Sequence, residues 1–295
     1  MIRILGTIFA GLLGLAFGSF LNVCLSRWPE GESVVRPRSH CRHCSHTLAW
    51  WENVPLVSWL ALRGRCRSCR AWIGWRYPLV ELAVGMLWAQ TAWRYVGWAL
   101  DPNESSKVVY LVLLAMAGEI ILYWLVLALA VLDAENLWLP DWLTWPGILI
   151  GTAYSLLPYY IIDRLPLFGI RRASVGGLAA RSLFASFAAA ALILLIRWLY
   201  WLVRRREGIG LGDVKLMALL AAWLGLPGAL LAFGMGIVLG ALAAVVLLAV
   251  PSARRDCETW AFSKLPLGTF LCIGGIVSSL WGQHIIAAYL RWAGF

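Results

Sequence analysis

Residues Val108–Leu132 read VVYLVLLAMAGEIILYWLVLALAVL and are followed directly by Asp133. A helix crosses the hydrocarbon core of a bilayer with about 20 apolar residues, and this run is longer than that. The rest of the 295-residue chain has the same character, because 61% of its residues are hydrophobic and only 14% are charged. A soluble domain carries about 25% charged residues. The composition therefore predicts an integral membrane protein.

Further apolar runs predict an all-α polytopic membrane protein with about eight transmembrane helices. The runs are Ile4–Val23, Tyr77–Leu100, Val108–Leu132, Trp142–Ile162, Val175–Val203, Val214–Leu224, Gly228–Val250 and Leu267–Trp292. The sixth run is short, and we expect its helix to begin earlier, inside Gly208–Asp213. We interpret the apolar N-terminus as a retained helix rather than a signal peptide, because no small-residue cleavage site precedes Arg27 and Pro29.

Three domains follow from this pattern: a first transmembrane helix (1–24), a hydrophilic cytoplasmic segment (25–76) and a membrane domain of about seven helices (77–295). The hydrophilic segment holds nine arginines. If it is cytoplasmic and the spans alternate, the loops on its side carry 16 Lys and Arg, against 5 on the other side. We therefore read the formal net charge of +10 as a topology signal. The expected partner is the lipid bilayer, and nucleic acid is not expected.

Four of the seven cysteines form two CxxC pairs, Cys41 with Cys44 and Cys66 with Cys69. Two such pairs at this spacing are typical of a closed tetrahedral Zn²⁺ site. Because four sulfurs fill the coordination shell, the zinc is expected to hold the segment together rather than to activate water. A redox disulfide pair and a set of metal-free reduced cysteines are the alternatives.

Two carboxylates border the predicted spans, where ionisable residues are costly and are functional candidates. Asp133 ends an apolar helix, where the helix dipole disfavours an anion. Asp213 follows Gly210-Leu-Gly212, and its alternative role is that of a helix N-cap. We interpret Asp141, which follows Pro140, as an N-cap.

Two carboxylates that share a proton can hydrolyse a peptide bond, because the charged one activates water and the protonated one polarises the carbonyl. The sequence has no GxSxG or HExxH motif to favour another hydrolytic mechanism. A transporter that uses the two aspartates as a proton relay and a non-enzymatic assembly factor are the other hypotheses. Glu81, Glu119 and Glu135 have no assigned role. Glu119 lies in mid-span, and Arg94 and Arg181 are candidate partners for it.

Several motifs together resemble the bacterial type IV prepilin peptidases/N-methyltransferases, which are GxGD intramembrane aspartic peptidases. The motifs are Gly18-Ser-Phe-Leu-Asn-Val23, the two CxxC pairs around Asn53-Val-Pro-Leu-Val-Ser-Trp59, Arg76-Tyr-Pro-Leu-Val-Glu-Leu82, Asp133 with Pro140-Asp141, and Gly210–Asp213 with Lys215-Leu-Met. The resemblance covers nearly the whole chain, and its combination of motifs is specific.

The resemblance implies that Asp133 and Asp213 are the catalytic residues and that Cys41, Cys44, Cys66 and Cys69 bind Zn²⁺. It implies an enzyme of the inner membrane that cuts the basic leader of type IV prepilins or type II secretion pseudopilins after a Gly, at the cytoplasmic face. The same enzyme would then methylate the new N-terminal residue, usually Phe, with S-adenosylmethionine as donor. A peptidase without methyltransferase activity is the alternative.

The chain departs from the family pattern in three places. Its first cysteine pair lacks the common Pro, its late motif reads Leu265-Pro-Leu-Gly-Thr-Phe270 instead of PFGPxL, and 80 residues separate Asp133 from Asp213. We expect the extra length to lie in Tyr159–Ala180. We also expect none of these departures to touch the two aspartates.

Overall fold

The structure is a computed structural model that describes residues 1–99, 106–156, 175–206, 208–249 and 265–294. It divides into two compact units, Met1–Ala128 and Leu129–Phe295. The described α-helices are α1 (Ile2–Arg27), α2 (Val57–Ala61), α3 (Arg76–Ala99), α4 (Ser106–Asn136), α5 (Asp141–Tyr154), α6 (Val175–Arg204), α7 (Leu211–Ala249) and α8 (Leu267–Trp292), with short 3₁₀ helices at Trp28–Glu30 and Trp50–Asn53. The predicted all-α character is confirmed for these residues.

Five helices of the described ranges are long and apolar enough to cross a membrane. The segments are Ile2–Glu30, Val108–Asn136, Ala179–Arg204, Leu211–Val246 and Leu267–Trp292. Helix α3 has 24 residues but lies below the hydropathy of these five, and α5 has 14 residues. The chain is thus a membrane protein, while the number of eight spans stays a prediction. The predicted insertion at 159–180 lies mostly outside the described residues.

In the first unit, α1 packs closely against α3. A Cβ atom built on Gly14 would lie 2.9 Å from the Cα of Gly85, and one on Gly18 would lie 2.7 Å from the Cα of Glu81. Small residues allow such backbone contact between membrane helices, where lipid offers no hydrophobic driving force for association. The close packing therefore depends on glycine at these positions.

In the second unit, α7 packs against α5, α6 and α8. Its residues 216–222 are almost completely buried, which suits a helix that is apolar on all sides. The predicted sixth and seventh spans meet inside this helix at Gly225, whose φ of 70° is one that glycine adopts without steric cost. Pro227 adds to the interruption because it has no backbone N–H to donate. The expected earlier start of the sixth span is confirmed at Leu211.

Candidate active site and metal centre

Asp133 lies in the last turn of α4 and is 6% exposed. Its Oδ2 atom accepts a hydrogen bond from the backbone N–H of Thr269, at 2.7 Å. The Thr269 hydroxyl lies 3.2 Å from the same oxygen and 2.9 Å from the carbonyl oxygen of Ala130. The first turn of α8 thus holds one oxygen of this carboxylate.

Asp213 lies in the first turn of α7 and is 8% exposed. Its Oδ2 accepts a hydrogen bond of 3.2 Å from the backbone N–H of Gly210, the residue before the helix. The side chain therefore satisfies one of the N–H groups that a helix N-terminus leaves without an intrahelical partner. Asp213 is not the N-cap of α7, so that alternative interpretation is wrong. It is the third residue of the helix, which begins at Leu211.

Asp133 and Asp213 lie within electrostatic reach of each other. Cys272 of α8 is completely buried and lies within electrostatic reach of both carboxylates. Two neighbouring carboxylates in a buried site repel each other when both are ionised, so such a pair favours sharing one proton. The structure thus brings together the two residues that the sequence singled out.

The late motif contacts Asp133, so the expectation that no departure touches the aspartates is wrong. In addition to the Thr269 contact, a Cβ atom built on Gly268 would lie 2.8 Å from Oδ2 of Asp133. Only a residue without a side chain allows the carboxylate to approach this closely. The sequence carried a signal for this contact, because Gly268 is the glycine that the chain retains from the PFGPxL pattern.

Asp141 is not the N-cap of α5, so this interpretation is corrected. Pro140 occupies the N-cap, and Asp141 is the first helical residue, with no side-chain capping bond. Its carboxylate instead forms an ion pair with the ammonium group of Lys215, which lies two residues after Asp213. The ion pair ties the first turn of α5 to the first turn of α7. Sequence reasoning missed this pair because its members are 74 residues apart.

Glu119 is paired with Arg94, one of its two candidate partners. The hydroxyl of Tyr95 donates a hydrogen bond of 2.7 Å to the other carboxylate oxygen, and Arg94 also donates to the hydroxyl of Tyr123 at 3.1 Å. These residues belong to α3 and α4 within the first unit. A buried charge is costly unless it is paired and hydrogen-bonded, and the carboxylate of Glu119 meets both conditions.

The four predicted zinc ligands converge on one point in the first unit. The sulfur atoms of Cys41, Cys44, Cys66 and Cys69 all lie within 4.8 Å of one another. The Cys41–Cys69 and Cys44–Cys66 sulfur pairs are 3.8 and 4.0 Å apart. Four thiolates placed about 2.3 Å from a tetrahedral zinc are about 3.8 Å apart from each other. The cluster therefore fits a zinc ion.

Two similar turns present these sulfurs. In the first turn the N–H of Ser45 donates to the carbonyl of Cys41, and in the second the N–H of Arg70 donates to the carbonyl of Cys66. Ser45 and Arg70 have φ values of 57° and 60°. Each turn is closed by an isolated β-bridge, His40 to Thr47 and Arg65 to Trp72. The backbone thus turns each CxxC pair in the same way.

Backbone N–H groups favour the thiolate at Cys66, whereas burial and hydrogen bonds with the other three cysteines raise the pKa of Cys69 to about 11. Hydrogen bonds from the backbone of Cys69 and then of Ser68 lower the pKa of the Cys66 thiol to about 7. Because the thiolate is the metal-binding form, this lowering suits metal binding.

Known families cover most of the chain. The bacterial peptidase A24 N-terminal domain matches residues 12–95, and the type IV leader peptidase family matches residues 120–245, which include both aspartates. Among solved structures, none gives a significant match.

Curated relatives named "Prepilin leader peptidase/N-methyltransferase" match over most of this chain. The relative from Stutzerimonas stutzeri is 34% identical, with 96% of this chain and 93% of the relative aligned. The relative from Pseudomonas aeruginosa is 35% identical over the same shares, and the one from Myxococcus xanthus is 38% identical over 88% of this chain and 68% of the relative. At this identity and coverage, the chain belongs to the family of type IV prepilin leader peptidases/N-methyltransferases.

Proposed function

We propose that this protein cleaves the leader peptide of prepilins or pseudopilins with Asp133 and Asp213, and that it methylates the new N-terminus. The observation that carries the catalytic assignment is that these two buried carboxylates lie within electrostatic reach of each other. They come from motifs separated by 80 residues, and both lie inside the region that matches the leader peptidase family.

The chemistry needs one charged and one protonated carboxylate. The charged carboxylate takes a proton from water as the water oxygen attacks the scissile carbonyl carbon, and the protonated carboxyl gives its proton to the carbonyl oxygen. When the tetrahedral intermediate collapses, the C–N bond breaks and the leaving amine receives the proton taken from water. One hydroxyl of the intermediate becomes the new carbonyl and returns its proton to the carboxylate that had protonated the scissile carbonyl. The leader ends in a new carboxyl group, and the mature protein ends in a new amine.

Methylation acts on that new amine in its neutral form. S-adenosylmethionine would supply the methyl group. The amine nitrogen forms a bond to the methyl carbon as the bond from that carbon to sulfur breaks, S-adenosylhomocysteine leaves, and the nitrogen releases a proton. Methyl transfer needs no pair of carboxylates, so the two reactions share a substrate but not a set of catalytic groups.

Zinc is proposed to have a structural role at Cys41, Cys44, Cys66 and Cys69. Four sulfurs complete its coordination shell and leave no position for a reacting water. Because the segment 25–76 is only sparsely helical, the metal would supply much of the energy that keeps it folded.

We place the protein in the bacterial inner membrane, with residues 25–76 and the aspartates on the cytoplasmic side. The bias of Lys and Arg toward that side supports this orientation. It suits a substrate with a basic cytoplasmic leader and an apolar helix in the bilayer. A reporter inserted near Ser45 should report the cytoplasm, and one fused after Phe295 should report the periplasm.

The direct test uses the full-length protein in lipid nanodiscs, a prepilin and S-adenosylmethionine. Mass spectrometry of the pilin N-terminus should show loss of the leader and addition of one methyl group. An unprocessed pilin would contradict the peptidase assignment. A processed but unmethylated pilin would favour the peptidase-only alternative.

A further inference from the structure

The first turn of α8 donates hydrogen bonds to an anion, which is the carboxylate of Asp133. The early N–H groups of a helix have no intrahelical partner, and the helix dipole makes this end positive. Thr269, the third residue of α8, directs its N–H at Oδ2 of Asp133 at a distance of 2.7 Å. Its hydroxyl lies 3.2 Å from the same oxygen.

The surroundings of the two aspartates are unequal. Asp213 accepts a hydrogen bond of 3.2 Å from the Gly210 N–H, which is longer than the 2.7 Å bond from Thr269 to Asp133. Hydrogen bonds donated to a carboxylate favour its charged form, and shorter ones do so more strongly. When one proton is shared, it therefore belongs on Asp213.

We infer that Thr269 is a positioning residue that holds Asp133 as the ionised base, with Asp213 as the protonated acid. In this arrangement Asp133 takes the proton from water, and Asp213 gives its proton to the scissile carbonyl oxygen. The inference rests on the proposed function, because it assigns roles within that same pair of carboxylates.

The late motif of this chain departs from the PFGPxL pattern at Thr269. At the position of Thr269, the PFGPxL pattern that the late motif resembles has a proline. Proline has neither a backbone N–H nor a hydroxyl group, so it can make neither contact. Thr269 thus brings to Asp133 a backbone N–H and a hydroxyl group that a proline at this position would lack.

Three substitutions at Thr269 separate its two donors. Thr269→Pro removes both, and α8 should tolerate it, because the N–H of a first-turn residue makes no intrahelical bond. The preceding residue is Gly268, which has no Cβ atom to clash with the proline ring. Thr269→Val removes the hydroxyl alone and keeps the β-branched shape. Thr269→Ser keeps both donors.

The expected pattern is a graded loss of kcat for prepilin cleavage with KM nearly unchanged. A hydrogen bond to a charged group is worth roughly 10- to 100-fold in rate when it acts on the reacting carboxylate, and we expect a loss of that order for Thr269→Pro. The Val variant should lose about three- to fivefold, because its hydroxyl hydrogen is shared with the Ala130 carbonyl in the parent. The Ser variant should restore kcat to within about twofold.

A matched control and a second reaction exclude a general structural defect. Thr152→Val removes a hydroxyl that bonds to the carbonyl of Ile148 within α5, and it should leave kcat unchanged. Methylation of a pilin supplied already cleaved should stay normal in all Thr269 variants. A kcat within twofold of the parent for Thr269→Pro would overturn the inference, and so would a Ser variant as impaired as Pro. If the Pro variant fails to insert, a Val variant with the parental kcat overturns it.

The failure of the inference is distinguishable from that of the proposed function. If Asp133→Asn and Asp213→Asn abolish cleavage while the Thr269 variants cleave normally, only the role of Thr269 is wrong. If the aspartate variants still cleave the prepilin, the proposed catalytic pair itself is wrong.

Discussion

The four-cysteine cluster and the aspartate pair are assembled in opposite ways. The outermost ligands of the cluster, Cys41 and Cys69, are 28 residues apart, and two similar turns present all four sulfurs. In the aspartate pair, the hydrogen bond from Thr269 to Asp133 joins residues that are 136 positions apart in the sequence. Under our proposal a metal holds the local site, whereas helix packing holds the distributed site. A substitution should therefore be able to disrupt one of the two sites and leave the other intact.

The largest effect is expected when either carboxylate is neutralised. Asp133→Asn or Asp213→Asn should lower prepilin cleavage by at least about 10³-fold. Because the reaction needs both carboxylates, the loss of one should cost about as much as the loss of both. Both variants should bind zinc normally and still methylate pre-cleaved pilin. Cleavage is measured by the mass of the pilin N-terminus, and failure on pre-cleaved pilin would contradict the division of labour between the two reactions.

The next effect concerns the metal. Cys41→Ser or Cys66→Ser should lower the zinc content and loosen residues 25–76, since a structural metal site contributes its binding energy to folding. This segment is the longest hydrophilic part of the chain, and we expect it to contact the methyl donor or the leader. Methylation should therefore fall further than cleavage.

The measurement for the cysteine variants is the metal content together with the ratio of methylated to unmethylated mature pilin. Cys24→Ala is the matched control, because Cys24 is buried in α1 and is not part of the cluster. Normal methylation by a zinc-free variant would show that methyl transfer does not depend on the metal.

A smaller effect tests the close approach at Asp133. Gly268→Ala would place a Cβ atom 2.8 Å from Oδ2 of the carboxylate and should displace it, with a loss of cleavage of about tenfold. Gly234→Ala is the control, because a Cβ atom there meets nothing within 4 Å. Alanine is the better helix former, so neither change should weaken its helix. Equal kcat values for the two variants would show that the approach of Gly268 has no catalytic consequence.

The smallest effect is expected at the exposed ion pair. The side chain of Asp141 is 61% exposed and that of Lys215 is 29% exposed. Exposed ion pairs contribute about 1 kcal/mol or less. Asp141→Asn should therefore retain cleavage to within about fivefold, and adding Lys215→Gln should cost little more. A loss at Asp141 as large as that at Asp133 would show that the wrong carboxylate had been assigned to the catalytic pair.

Patterns that are local in the chain predicted the structure well. The spacing of the cysteines predicted a four-sulfur cluster, since two CxxC turns leave few ways to arrange their sulfurs. The apolar runs placed most of the helices, and the gap between Leu224 and Gly228 coincides with the break at Gly225. Contacts between distant helices were predicted less well. Asp141 was misassigned because its first-turn position matches a capping pattern, and the partner that explains it is Lys215.

By itself, the sequence determined that this is a helical membrane protein, that four cysteines form one cluster, and that Asp133 and Asp213 are the carboxylates to examine. These conclusions depend on hydrophobicity, spacing and motifs, which are properties of short segments. Only the tertiary structure decided that Thr269 and Gly268 touch Asp133 and that Lys215 pairs with Asp141. The physical reason is that helix packing sets which side chains meet across the membrane domain, and no local pattern encodes that choice.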